Sequence, residues 1–204
     1  MTGDARTSGM AASLCGLEAA LEAGDPAGIT AAIRRLESMY AIAFSFGGLP
    51  LIYMGDELAM LSDPGWAADP AHAHDNRWMH RPLMDWGLAG RRHDPESPAG
   101  RAFAAIRRLA EARRSLLALR AGGSTEILPT PNRCVLAYRR AHPRSAPFLS
   151  LTNFSDVTQS ADAGIIARAG LSRPAHVHSS AGRLDIGGGR IKLPPWGFAW
   201  LTGR

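Results

Sequence analysis

Residues 47–86 read GGLPLIYMGDELAMLSDPGWAADPAHAHDNRWMHRPLMDW. The reading of this stretch decides the fold. It opens with a short apolar run, Leu49 to Met54, entered through Gly47-Gly48 and Pro50 and closed by Gly55. A run of that length between glycines reads as a buried parallel strand. The carboxylate pair Asp56-Glu57 follows at once. Carboxylates just past the C-terminal end of a strand stand where α/β barrels and sheets keep their chemistry. About 30 residues of loop come next, dense in Asp, His, Arg, Asn and Trp, and loops of that length are functional or disordered. Trp66, Trp78 and Trp86 argue against disorder.

Working outward, the preceding segment reads as a helix from about Pro26 to Phe46. Asp25 and Pro26 stand at its N-cap and first position. Its inner face holds Ile29, Ile33, Leu36, Met39, Tyr40, Ala43 and Phe44, and MYAIAFSF is apolar nearly all round. An earlier helix is expected over 10–23, from Met10, Leu14, Leu17 and Leu21 at helical spacing. A later one spans about Pro98 to Arg120 and ends at Gly122-Gly123. Helix, Gly-Gly and buried strand make half of a βαβ unit. A parallel strand needs parallel neighbours, and this chain shows no other such strand. Either another polypeptide completes the sheet or the sequence belongs to a longer one.

After residue 122 the period changes to two. Strands are expected at Thr125–Leu128, Cys134–Arg140, Phe148–Asn153, Ala175–Ser179, Gly189–Leu193 and Phe198–Thr202. Turn signals between them point to a small antiparallel sandwich. The division expected is therefore 1–121, an α/β piece, and 122–204, an all-β piece.

Composition narrows the function classes. The chain has 204 residues, 46% hydrophobic, with net charge +5. Lys192 is the single lysine among 23 basic residues, and the arginines are scattered beside acids on helices. That pattern argues against a nucleic-acid partner. Cys15 and Cys134 lie far apart and read as two unpaired thiols of a reducing compartment. No signal peptide pattern is visible, and no apolar run approaches the roughly 18 residues of a membrane span. The expectation is a cytoplasmic protein without a membrane partner.

Several constellations could carry chemistry. Asp56 and Glu57 could act as acid and base, but neighbours on an extended chain face opposite ways. At most one would line a site, and the other would cap a helix or pair with an arginine. Asp75-Asn76-Arg77-Trp78-Met79-His80-Arg81 could line a sugar or anion pocket. It could equally be a surface loop pinned by Trp78 and a salt bridge. His72, His74, His80 and His93 match no tetrahedral spacing, so no metal is expected. No dinucleotide fingerprint, P-loop or nucleophile elbow appears, and no cofactor is expected. From the residues alone, the chain supports a polar-ligand site but no named reaction.

GGLPLIYMGDELAMLSDP resembles the G-x-P-x-I-Y-x-G-x-E signature at the eighth barrel strand of the α-amylase superfamily, glycoside hydrolase family 13. DNRWMHRPLMDW is similar to the amylosucrase branch in particular, as are TGDARTSGMAASLCGLEAAL, PFLSLTNFSD and LPPWGFAWL. The resemblance runs from about Thr2 to Leu201. It implies the C-terminal part of a (β/α)8 barrel (helix seven, strand eight with its loop, helix eight) followed by a C-terminal β-sandwich domain. It implies an enzyme that cleaves sucrose with retention, builds α-1,4-glucan and releases fructose. Sucrose and α-glucan are then the ligands in the full-length context. The resemblance places the three catalytic carboxylates before Met1, so no catalytic residue is expected in this chain and no sucrose cleavage by the chain alone. Arg77 matches an arginine that closes the base of the glucosyl pocket by pairing with an acid elsewhere in the barrel. Asp75, Arg81 and Glu57 match loop positions near that pocket. Two rivals remain: a related sucrose or α-glucan hydrolase, and a stand-alone carbohydrate-binding module built on the β domain.

Overall fold

The structure, a computed structural model, describes residues 8–180 and 182–203. The chain divides into two compact units, one of Met1–Leu36 with Ile52–Ala104 and one of Glu37–Leu51 with Ala105–Arg204.

In the first unit, the helix expected over 10–23 is two short ones, α1 (Ala11–Leu14) and α2 (Leu17–Glu22). Gly16, at φ 89°, breaks the path between them. Helical spacing continues across the break, so periodicity alone could not see it. Next, α3 (Pro26–Ser45) starts as expected, with Asp25 Oδ1 accepting from the Ala27 N–H at 3.0 Å.

The buried parallel strand expected at Leu49–Met54 is not there. These residues form no ladder, and Leu49 and Leu51 are 93% and 78% exposed. The cause is the missing partner. An extended backbone becomes a strand only when neighbouring strands take its N–H and C=O groups. Every ladder among the described residues is antiparallel and lies beyond Ser124. No barrel can therefore be drawn from the described residues.

Past Gly55 the loop is built from short turns: 3-10 helices at Asp56–Leu58, Trp66–Ala68 and Asn76–His80, then α4 (Trp86–Gly90). Asp85 caps α4, accepting from the Leu88 N–H at 2.8 Å. Then comes α5 (Pro98–Ser115), capped by Ser97 Oγ, which accepts from the Gly100 N–H at 3.0 Å. It stops short of the expected Arg120, and Leu117–Leu119 form a separate 3-10 turn. Met10, Leu58 and Met60 make a small core here, packed by Met84, Leu88, Ala89 and Phe103.

The second unit holds the expected antiparallel sandwich. The larger sheet contains β1 (Ser124–Ile127), β2 (Val135–Ala141), β3 (Phe148–Asn153), β5 (Pro174–Ser179) and β8 (Phe198–Gly203), in the order β1-β2-β3-β8-β5. The smaller contains β4 (Gln159–Asp162), β6 (Asp185–Gly187) and β7 (Arg190–Leu193), in the order β4-β7-β6. Strands β4 and β6 carry too few apolar residues to show in the sequence, and the short α6 (Gly164–Arg168) is too brief to show a helical period. Leu149, Leu151, Ala199 and Leu201 of the larger sheet meet Ala161, Ile191 and Leu193 of the smaller in one core, with Ile165 of α6.

The opposite face of the larger sheet is buried too. Tyr138, Phe148, Ser150, Thr152, Phe198 and Trp200 sit there with almost no exposure. The C-terminal half of α3 lies against it. Ser45 Oγ is 2.6 Å from the Tyr138 hydroxyl, the Phe46 ring meets Tyr138 edge-on at 5.1 Å, and Ser38 donates to the Trp196 carbonyl. The unit thus has three layers: helix, five strands, three strands. Asn153 locks one end of it. Its Nδ2 donates to the carbonyls of Val157 at 2.8 Å, Leu193 at 3.3 Å and Pro194 at 2.8 Å, while its Oδ1 accepts from the Ser155 N–H at 2.9 Å. That is the physical link between the PFLSLTNFSD and LPPWGFAWL segments.

Candidate functional site

The polar loop of the first unit is organised by Asp75. As N-cap of the turn Asn76–His80, its Oδ1 accepts from the Arg77 N–H at 3.0 Å. The Arg77 guanidinium folds back on the same carboxylate: Nε lies 2.8 Å from both oxygens, and Nη2 lies 2.7 Å from Oδ2. Those hydrogen bonds hold the Asp75 carboxyl well below the usual carboxylate range, with the Arg81 charge adding to them. The same pairing raises Arg77. The Arg77 side chain remains 56% exposed, so part of its planar fork of donors faces outward.

Trp78 holds the rest of the loop. His72 stacks on its ring at 3.7 Å and 23°, and Arg81 lies over the ring at 5.3 Å. His72 Nδ1 is 3.1 Å from Asp69 Oδ2. A backbone bond of 2.8 Å from Asp63 to the Met79 carbonyl ties the loop's two limbs. So Asp75, Arg77 and Arg81 are brought together around one turn. The resemblance pairs Arg77 with an acid from elsewhere in a barrel; in this structure its carboxylate is Asp75, two residues away.

Glu57 stands apart. Its Oε2 accepts from the Gly55 N–H at 3.1 Å, and among the described residues no hydrogen bond or ion pair joins it to Asp75, Arg77 or Arg81. Its neighbour Asp56 is buried and accepts from the Ala11 N–H at 3.3 Å, at the start of α1. One carboxylate of the pair thus serves a helix start, and the two do not converge. The histidines diverge as well: His72 is on Trp78, His80 faces Tyr53 at 6.3 Å, and His93 faces Phe103 at 5.6 Å. Cys15 is buried, and burial pushes its thiol up to about 11, which leaves it inert.

A cavity of about 550 Å³ in the same unit escaped the sequence reading. Its wall comes from α2, the loop and the start of α5, which no local pattern connects. It is mostly apolar, with Leu17, Leu58, Met60, Leu83 and Leu88 among the lining residues. None of Glu57, Asp75, Arg77 and Arg81 lines it. Its chemistry suits an apolar side chain better than a sugar hydroxyl.

Residues 125–202 match the family described as Amylosucrase, C-terminal domain. This part of the chain is thus similar to an amylosucrase C-terminal domain. A trehalose synthase of Thermus thermophilus is 28% identical over 190 residues, which is 81% of this chain but 19% of that protein. Among solved structures, the trehalulose synthase of Pseudomonas mesoacidophila MX-45 is similar at a TM-score of 0.58 and 16% identity, over 83% of this chain and 38% of that one. A mutant of that synthase in complex with the substrate sucrose gives 0.56 at 16% identity, with the same shares of 83% and 38% covered. An inactive double mutant in complex with isomaltulose gives 0.57 at 17%, again over 83% and 38%. At such identities the structural likeness concerns the fold alone. It extends well beyond residues 125–202. The chain spans about a fifth of the curated relative and about two fifths of the solved synthase. The profile match, the relative and the fold are together consistent with the resemblance to the C-terminal portion of a glycoside hydrolase family 13 enzyme.

Proposed function

We propose that this chain is the C-terminal portion of an amylosucrase-type glucosyltransferase, in which sucrose is cleaved with retention, the glucosyl unit extends an α-1,4-glucan and fructose leaves. The match of residues 125–202 to the amylosucrase C-terminal family carries this reading. The DNRWMHRP loop adds to it, because Asp75, Arg77 and Arg81 converge on one turn with donors left facing outward. A retaining mechanism needs two carboxylates about 5–5.5 Å apart across the scissile bond. In this reading they belong to a part of the longer protein outside these 204 residues, and residues 1–121 are the end of its barrel. Asp75 orients Arg77 at the sugar pocket, Arg81 and Glu57 stand near it, and the setting is cytoplasmic.

A second reading, favoured by the Thermus trehalose synthase, is an enzyme of the same superfamily that acts on trehalose. The test is to express the longer polypeptide and this chain separately and supply each with sucrose. Fructose release with insoluble glucan from the longer form, and none from the 204-residue chain, is the expected result. Fructose without glucan would mean a hydrolase. Turnover of trehalose but not sucrose would install the second reading. Glucan binding without turnover by either form would leave only a binding module.

A further inference from the structure

A row of side chains crosses four strands of the larger sheet on its helix-facing side. The register sets Tyr138 opposite Ser150, Ser150 opposite Trp200, and Trp200 opposite His178. His178 holds its place through a bulge. The register slips between His176 and His178, so His178 takes the position opposite Trp200 that Val177 would otherwise fill. Bulges re-aim side chains in this way. The slip lies in β5, the end strand of the sheet, whose outer edge pairs with no strand among the described residues.

The imidazole lies among aromatic rings, with Phe198 at 5.5 Å and Trp200 at 6.2 Å. Its Nε2 is buried and has no hydrogen-bond partner among the described residues; the same holds for Trp200 Nε1. The charged groups around it are few. Arg108 of α5 faces it, and His176 neighbours it on its own strand. Glu37 of α3 lies 3.8 Å from that Arg108. A second proton on the ring would set a cation in an apolar layer beside the Arg108 guanidinium.

We propose that His178 is an acid-sensitive latch on the sheet edge: β5 stays zipped to β8 while the imidazole is neutral, and protonation loosens that strand. Burial first, then Arg108 and His176, hold His178 below its ordinary value, in keeping with this geometry. The sign follows. The unfolded imidazole takes its proton near pH 6.5 and the folded one resists it. The latch then stabilises the unit above that value, and its contribution is lost as pH falls.

The test uses the 204-residue chain. Side-chain ¹⁵N NMR follows the histidines, and backbone hydrogen exchange, corrected for the intrinsic pH dependence, follows β5 against β2 and β3. Between about pH 7.5 and about pH 5, His178 is expected to stay neutral below the ordinary histidine value and then take its proton. Protection of β5 is then expected to fall relative to β2 and β3. The H178Q variant is expected to lose that pH dependence and H176Q to keep it. Unchanged β5 protection in the wild type as His178 titrates would overturn the latch, as would an identical pH dependence in H178Q. If H178Q does not fold, the wild-type titration with H176Q still decides between the two.

Discussion

Two apolar segments of equal length have opposite fates. Phe148–Asn153 is buried along its whole length, with β2 on one side, β8 on the other, a second sheet beneath and helix residues above. Leu49–Met54 is at least as apolar, yet five of its residues, Leu49, Leu51, Ile52, Tyr53 and Met54, are exposed. Composition does not separate them; the supply of partners does. A strand buries its side chains and satisfies its backbone only where neighbours exist to meet both. The exposed segment is thus a measure of what a longer protein would add, and the buried one of what these residues do by themselves.

The comparison breaks most sharply at Asn153. If the second unit is self-sufficient, its stability rests on such internal locks. Asn153→Ala takes one donor from each of the Val157, Leu193 and Pro194 carbonyls, of which Val157 keeps Ser155 Oγ and Pro194 keeps the Gly197 N–H, and it leaves the Ser155 N–H without its acceptor. The expected loss is roughly 3 kcal/mol or more, read as a fall in the urea midpoint. A loss below about 1 kcal/mol would mean that the sandwich closes without this lock. The next effect is smaller. Tyr138→Phe strips Ser45 of a buried partner at 2.6 Å and should cost roughly 1–2 kcal/mol on the same measurement. Because that bond joins helix and sheet, helix residues 37–45 should also exchange their amides faster.

How much of this was legible in the sequence follows the same division. The six expected strands stand within a residue or two of their places, because alternation and turn residues are local signals that the sandwich then satisfies. Asp25 and Pro26 marked the start of α3 for the same reason. Leu49–Met54 misled because an apolar run signals a buried strand only where partner strands exist, and none pairs with it among the described residues. Strands β4 and β6 were missed because Gln159–Asp162 and Asp185–Gly187 are polar and take their order from β7. At the loop, the residue types announced a polar cluster and Trp78 announced an anchor. Nothing in the string DNRW said that Arg77 would turn back on Asp75 rather than reach a distant acid, since an i, i+2 pairing depends on the turn that Asp75 itself caps.

The smallest stability effect is expected at that pair, and it sharpens the contrast between the two units. Asp75 and Arg77 form a bidentate, charge-assisted contact whose geometry looks as strong as that of the Asn153 lock. Unlike Asn153, the pair lies at the surface, where water and salt screen the charges and compete for every donor. Asp75→Asn should leave the urea midpoint of the chain unchanged within error at neutral pH. The carboxyl is held below its ordinary range, so any stabilisation from the pair is present above that range and is lost only as pH falls through the depressed value. The difference between wild type and variant should therefore stay flat from neutrality down to about pH 5. What the substitution should change is the posture of Arg77, visible as faster motion of its Nε–H by NMR. A large drop in midpoint would mean that the loop is part of a core after all. A flat midpoint with a mobile Arg77 would mean that Asp75 is kept to aim a guanidinium, which is the use the proposed sugar pocket has for it.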